Sequence, residues 1–167
     1  MQLEQTFPAS DPIPWIHDLP AAERYLEDFA AGQRYVTASV VVGVDDIKEF
    51  AACFDPQPFH LDEAAAARSL FGGLVASGWH TASLAMRLLV ESDLRIAGGL
   101  VGVGGEIEWR QPTRPGDELH VESEVLDVTP SRSKPSGIVS MRAVTLNQRG
   151  EPVQAAVMKL RVPRRPA

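Results

Sequence analysis

Hydrophobic and polar residues alternate in two different ways along this chain, and the change comes near position 100. Beyond it the segments are β-rich or alternate with period two, as at Leu119, Val121, Ser123 and Val125, which is typical of strands with one buried face. A polar turn at residues 147–150 joins the last two segments. This half of the chain is therefore predicted to form four strands, at residues 100–109, 118–128, 137–146 and 152–162.

Before position 100 the pattern is mostly helical. Residues 45–54 carry apolar side chains at Ile47, Phe50 and Ala51, which is the spacing of an amphipathic helix. A longer helix over residues 77–91 is apolar nearly all round, which predicts that it is buried on most of its sides. Shorter helices are predicted at residues 21–29 and 62–70, and one strand at residues 35–42.

One buried helix and a set of antiparallel strands able to enclose it indicate an α+β fold, with the sheet wrapped around the helix. We expect residues 1–30 to form an N-terminal arm and a short helix, and residues 31–167 to form a single domain. A curved sheet of this length has open edges, and pairing one edge with a second copy would protect it. The chain is therefore predicted to form a homodimer or a higher homo-oligomer.

Composition argues against several classes of partner. The net charge of -6, with acidic and basic residues interspersed, disfavours nucleic acid, whose phosphates require a basic face. A single cysteine, Cys53, excludes an intramolecular disulfide and favours a reducing compartment. No secretory signal is evident, and the longest apolar stretch, residues 84–90, is too short to span a bilayer. We therefore expect a cytoplasmic protein without a membrane partner.

The candidate chemistry lies in the segment Asp55-Pro56-Gln57-Pro58-Phe59-His60. Each proline disfavours the helical conformation at the residue before it, so the helix over residues 45–54 should end at Asp55. Asp55 and His60 are then held at the two ends of a short, stiff loop, as two groups that transfer protons together must be. A structural role is the alternative, because an aspartate before a proline commonly only ends a helix.

Three blocks of the sequence resemble the MaoC-like dehydratases and R-specific enoyl-CoA hydratases. Residues 50–62 resemble the family signature, in which an aspartate is followed by any residue, then by asparagine or glutamine, proline, an apolar residue and histidine. Residues 71–79 are similar to the segment that enters the family's central helix, and residues 109–119 to its proline-rich turn between two strands. The blocks occur in the family's order, and the likeness covers roughly residues 33–162.

This resemblance implies a hotdog fold, in which an antiparallel sheet wraps around a long central helix. It also implies a lyase that reversibly hydrates a trans-2-enoyl thioester, usually of coenzyme A, to the R-3-hydroxyacyl thioester. Asp55 and His60 would form the catalytic pair, and the backbone N–H of Gly78 would belong to an oxyanion hole. An acyl-CoA is the implied partner, with coenzyme A as part of the substrate, no separate cofactor and no metal.

The chain departs from the family near Gly78. Ser77 and Trp79 stand where many hydratases have histidine and methionine, and Gln57 replaces the commoner asparagine. We predict that Gln57, Ser77 and Trp79 contact the substrate, with the bulky Trp79 shortening or reshaping an acyl pocket. Ser77 is also expected to cap the long helix rather than to act as a nucleophile, because a base at a suitable spacing is absent.

Two other functions fit the same fold. A hotdog acyl-CoA thioesterase would need a carboxylate on or beside the central helix, where the sequence offers only Glu91 at the far end. A non-catalytic acyl-thioester binding subunit would need neither Asp55 nor His60, and both are present.

Overall fold

The computed structural model describes residues 23–166. Its centre is an antiparallel sheet in which the long strands follow the order β1-β4-β5-β6-β3, and β2 pairs with β4 beyond the end of β1. This arrangement confirms the predicted α+β architecture. The strands are β1 (Arg34–Val36), β2 (Val40–Val41), β3 (Val101–Trp109), β4 (Glu118–Pro130), β5 (Ser136–Leu146) and β6 (Pro152–Pro163).

The long helix packs across one face of this sheet. The helices are α1 (Val44–Phe54), α2 (Pro58–Leu61), α3 (Glu63–Ala67) and α4 (Gly78–Glu91). Ala85, Leu88 and Leu89 of α4 belong to the same buried cluster as Val121 of β4 and Met141 of β5. Because alternate residues of a strand face the same side, β4 and β5 each offer a mostly apolar buried row to the helix.

A second buried cluster attaches the short helices to one end of the sheet. It joins Ile47 of α1 and Ala66 of α3 to Leu119 and Val153, which lie near the starts of β4 and β6. Leu74 and Ala76, from the segment that leads into α4, complete this cluster. The contacts bring the predicted loop and the first turn of α4 to the same end of the molecule.

The prediction of one strand over residues 35–42 was wrong, because Thr37 interrupts it. The Thr37 hydroxyl oxygen accepts a hydrogen bond of 2.9 Å from the Val121 amide, and the Thr37 amide donates one of 3.0 Å to the Val121 carbonyl. A side chain has thus replaced a backbone carbonyl in the pairing with β4, as threonine can where it competes with regular secondary structure. The segment is divided into β1 and β2 as a result.

Two of the predicted short helices also differ. The helix predicted at residues 62–70 is two helices, α2 and α3, because Asp62 has an extended conformation and its side chain accepts the Ala65 amide at 2.6 Å to start a new helix. His60 therefore lies within α2 rather than in a loop. Of the predicted helix 21–29, the described part from residue 23 onward forms only the 3-10 turn Leu26–Asp28. The predicted arm over residues 1–20 lies outside the described residues.

The expectation that the long helix is buried on most sides was wrong for the single chain. Trp79, Met86 and Val90 of α4 are 59%, 41% and 57% exposed. Every residue of β3, the edge strand, is exposed as well. An apolar surface is therefore left open along one side of the molecule. None of the helices between residues 23 and 166 is long and apolar enough to cross a membrane.

Replacing Thr37 by valine should destabilise the fold, since the shape is kept while the buried Val121 amide loses its acceptor. We expect the free energy of unfolding to fall by ~1–3 kcal/mol, measured by urea denaturation at a fixed protein concentration. Thr37→Ser keeps the hydroxyl and is the matched control, with a smaller expected loss. Wild-type stability of Thr37→Val would show that this bond does not hold β1 and β2 on β4.

Candidate active site

Asp55 stands where α1 ends, and its carboxylate is held by two hydrogen-bond donors. Pro56 prevents the helix from continuing, and the Asp55 amide closes its last turn on the Ala51 carbonyl at 2.9 Å. Oδ1 accepts a hydrogen bond of 2.8 Å from the side-chain Nε2 of Gln57, and Oδ2 accepts one of 2.7 Å from the Ser77 hydroxyl. The carboxylate is therefore fixed in position while its side chain stays 21% exposed.

His60 is buried in α2, and its tautomer follows from its partner. The Nδ1 atom lies 2.7 Å from the Val75 carbonyl oxygen, which can only accept a hydrogen bond. Nδ1 therefore carries a hydrogen, and in the neutral ring Nε2 has the lone pair. That Nε2 atom lies 3.3 Å from Asp55 Oδ2. The two side chains predicted to act together converge on one point.

The surroundings keep Asp55 ionised. The hydrogen bond from Ser77 holds the pKa of the Asp55 carboxyl below its ordinary value, with further contributions from Gln57 and from the charge and hydrogen bond of His60, while burial opposes the change. A carboxylate and the lone pair of a neutral imidazole would repel each other at 3.3 Å. The two acceptor atoms are therefore suited to share a water molecule that donates a hydrogen bond to each of them.

The first turn of α4 lies beside the same region. Ser77 is the N-cap residue, as predicted, and its oxygen accepts the Trp79 amide at 3.2 Å. Within residues 23–166 the Gly78 N–H makes no hydrogen bond. This amide, at the positive end of the helix dipole, is available to an anionic oxygen.

The Trp109 ring fills the space beside Gly78, which the sequence did not suggest. A Cβ on Gly78 would lie 2.6 Å from the Trp109 ring, so the indole leaves room only for glycine at this position. The Trp109 Nε1–H donates to the Gly78 carbonyl at 2.8 Å and to Gln154 Oε1 at 3.0 Å. Trp109 is thus a fixed wall beside the helix start.

These groups surround one cavity of about 520 Å³. It is lined by all six residues assigned to the site from the sequence: Asp55, Gln57, His60, Ser77, Gly78 and Trp79. Other lining residues were not assigned to the site beforehand, among them Phe59, Phe71, Trp109, Gln111 and Thr113. Trp109 and the residues after it belong to the block 109–119 that resembles the family, which was the one signal pointing to them.

An apolar cavity of about 290 Å³ lies on the other side of Trp79, between α4 and the sheet. Its walls include Met86 and Leu89 of α4 and the small residues Ala143 and Ala156 of β5 and β6. Trp79 lines both cavities, and its ring meets the Trp109 ring edge-on at 5.1 Å. Trp79 therefore separates the cavity with the Asp55–His60 pair from the apolar one.

The chain is similar to several known proteins. A family model described as "MaoC like domain" matches residues 28–147. The crystal structure of a MaoC-like dehydratase from Rhodospirillum rubrum is 57% identical, with a TM-score of 0.84 over 86% of this chain and 99% of that one.

Two curated relatives also match. The uncharacterized protein YdeM of Bacillus subtilis is 37% identical over 74% of this chain and 88% of its own length. A 3-hydroxybutyryl-CoA dehydratase of Methylorubrum extorquens is 34% identical over 66% of this chain and 69% of its own length. The protein therefore belongs to the MaoC-like dehydratase family and has the hotdog fold.

Proposed function

We propose that the protein reversibly hydrates a trans-2-enoyl thioester of coenzyme A to the R-3-hydroxyacyl thioester. The observation that carries this proposal is the 3.3 Å approach of Asp55 Oδ2 to His60 Nε2, in a cavity that Gly78 also lines. Similarity to a 3-hydroxybutyryl-CoA dehydratase supports the same class of reaction. The R configuration rests on the resemblance of residues 50–62 to the R-specific hydratases.

The pair can perform both proton transfers of the reaction. A water molecule donates one hydrogen to Asp55 Oδ2 and the other to the lone pair of His60 Nε2, and its oxygen attacks C3 of the enoyl group. Nε2 takes up the second proton as the C3–O bond forms, and the ionised carboxylate stabilises the imidazolium. The proton then passes from Nε2 to C2, which adds one water in total and restores both residues. Positioned groups of this kind contribute about 10²–10⁴-fold to a rate.

The negative charge that develops on the thioester oxygen needs a separate partner. The Gly78 N–H lines the same cavity and is free of acceptors among residues 23–166. At the start of α4 it also has the favourable end of the helix dipole behind it. A donor in such a position is worth roughly 3–4 kcal/mol to the transition state. The chemistry draws on this amide, Asp55, His60 and the coenzyme A ester itself, without a separate cofactor.

The geometry gives less support to the alternatives. A thioesterase that used Glu91 would need this carboxylate near the thioester, but Glu91 is exposed at the far end of α4 and pairs with Arg87 at 3.0 Å. A binding subunit would have no use for a fixed histidine tautomer beside an ionised carboxylate.

The function can be tested with a panel of trans-2-enoyl-CoA esters of different chain lengths. We expect the absorbance of the conjugated thioester to decrease without release of free thiol. Asp55→Asn and His60→Ala should each lower turnover by ~10²-fold or more while circular dichroism stays unchanged. Glu91→Gln is the matched carboxylate control and should leave hydration as it is. Thiol release without hydration would instead indicate a thioesterase, and near-normal rates in Asp55→Asn would refute the assignment.

We propose further that Trp79 restricts the enzyme to short acyl chains. Its ring separates the catalytic cavity from the apolar one, and the fixed Trp109 ring supports it from the side. A short chain needs only the first cavity, whereas a longer one would have to pass Trp79. The similarity to an enzyme named for a four-carbon hydroxyacyl group points in the same direction.

Trp79→Met should open the passage between the cavities. We expect kcat/KM for an eight-carbon enoyl-CoA to rise by ~10-fold or more, because chain-length discrimination in apolar pockets reaches that size, while the four-carbon ester changes little. Trp109→Phe removes the hydrogen bonds to Gly78 and Gln154 and should lower kcat/KM for both esters alike. If Trp79→Met keeps the wild-type preference for chain length, this tryptophan does not set it.

We also propose that the protein is a homodimer, joined along β3. This strand pairs with β6 on one side and, among the described strands, with none on its other side. Val101, Val103, Ile107 and Trp109 are at least 36% exposed on it, and the exposed apolar residues of α4 lie on the same open side. Soluble proteins usually cover an exposed apolar edge strand of nine residues. Pairing of β3 with β3 of a second copy covers this edge in both copies at once.

Light scattering after size exclusion should give twice the mass of the chain. Val103→Glu places a charge on the proposed interface and should shift the protein to a monomer at micromolar concentration, because a buried unpaired charge opposes association. Val41→Glu, at a residue of β2 that is 62% exposed, is the control and should remain dimeric. A monomeric wild-type protein would contradict the proposal.

A further inference from the structure

Ser77 is the N-cap residue of α4 and also contacts Asp55 at the end of α1. It is completely buried, with no exposed surface. Its hydroxyl donates to Asp55 Oδ2 at 2.7 Å, and its oxygen accepts from the Trp79 amide at 3.2 Å. A serine hydroxyl has one hydrogen, so it cannot donate to another group while it binds Asp55. While this bond holds, the predicted contact of Ser77 with the substrate cannot be a hydrogen bond that its hydroxyl donates.

The Asp55 carboxylate is constrained at both of its oxygens. Gln57 donates to Oδ1 at 2.8 Å from an exposed position, whereas Ser77 donates to Oδ2 from a buried one. Oδ2 is also the atom that faces His60 Nε2. Two donors on separate oxygens fix both the place of the carboxylate and the rotation of its plane. The buried donor acts on the oxygen that takes part in the proposed chemistry.

We propose that Ser77 is a positioning residue for Asp55. Its hydroxyl holds Oδ2 against His60 and, through the cap on the Trp79 amide, ties the carboxylate to the first turn of α4. The carboxylate, the imidazole and the Gly78 amide then keep one relative arrangement. This inference rests on the proposed function, since it assigns to Ser77 a part in the same site.

Loss of the hydroxyl would have two separable consequences. The helix would lose its N-cap, which is a matter of stability alone. Asp55 Oδ2 would lose a hydrogen bond to a charged group, which is stronger than one between neutral groups, so the carboxylate would be freer to turn and easier to protonate. Three described residues lower the pKa of Asp55: Ser77 and Gln57 through hydrogen bonds, and His60 through its charge and a hydrogen bond. Of these three, only His60 is itself titratable.

The variant that tests the proposal is Ser77→Ala. We expect kcat to fall by ~10-fold or more, with KM changed little, because a small misplacement of a catalytic group reduces rate more than binding. Asp62→Ala is the matched control: it removes the side chain that caps α3 through the Ala65 amide but does not contact Asp55. It should lose stability as Ser77→Ala does and keep the wild-type kcat. Ser77→Thr keeps the hydroxyl and should recover most of the turnover.

A second measurement needs no substrate. The titration of the Asp55 carboxyl carbon, followed by ¹³C NMR, should show a higher pKa in Ser77→Ala than in the wild type, and a smaller rise in Gln57→Ala. The hydrogen bond from Ser77 is the largest cause of the lowered pKa of Asp55, ahead of that from Gln57. Loss of either bond should therefore raise the pKa of Asp55, and loss of the bond from Ser77 should raise it more.

The outcomes separate the two proposals. An unchanged Asp55 pKa in Ser77→Ala, with kcat equal to that of Asp62→Ala, would show that Ser77 is only a helix cap and would overturn the inference. A wild-type protein that hydrates none of the esters, while Ser77→Ala still raises the Asp55 pKa, would refute the proposed function and leave the positioning of Asp55 by Ser77 in place.

Discussion

Two hydrogen bonds hold Asp55, at the end of α1, and His60, in α2, against the segment that leads into α4, and the site depends on them. The Val75 carbonyl fixes His60 through Nδ1, and the Ser77 hydroxyl fixes Asp55 through Oδ2. Both partners come from a buried stretch that leads into the helix. The pair can therefore hold its geometry without a third catalytic side chain to orient it, because the main chain and one hydroxyl do so.

The same contacts set the tautomer of His60 and keep Asp55 ionised. A neutral imidazole whose Nδ1–H is bound to a carbonyl has its lone pair on Nε2, and the pKa of a carboxyl that accepts two donors is lowered. Each side chain thus offers one acceptor to the same space, which suits the water molecule of the proposed reaction. The Gly78 amide at the helix start, which makes no hydrogen bond within residues 23–166, is the further donor that the proposed reaction uses.

The edge of the sheet contributes to the site through Trp109. Its indole fills the space that a side chain on Gly78 would need, and its Nε1–H joins the first residue of α4 to Gln154 of β6. The strand that carries Trp109 is also the exposed edge proposed to pair with a second copy. Association along β3 would therefore act on the wall of the active site as well as on the stability of the protein.

The sequence by itself determined the α+β architecture, four long strands, α1, α4 and six of the residues that line the cavity with the Asp55–His60 pair. These features follow from local rules, namely the hydrophobic period, proline after a helix end and serine at a helix cap, and from a motif that keeps Asp55 and His60 five positions apart. Tertiary structure decided the break at Thr37, the bond of Ser77 to Asp55 and the position of Trp109 over Gly78. Each of these joins residues far apart in the chain or resolves a competition between side chain and backbone, and such contacts depend on how the elements pack together, about which a local pattern contains no information.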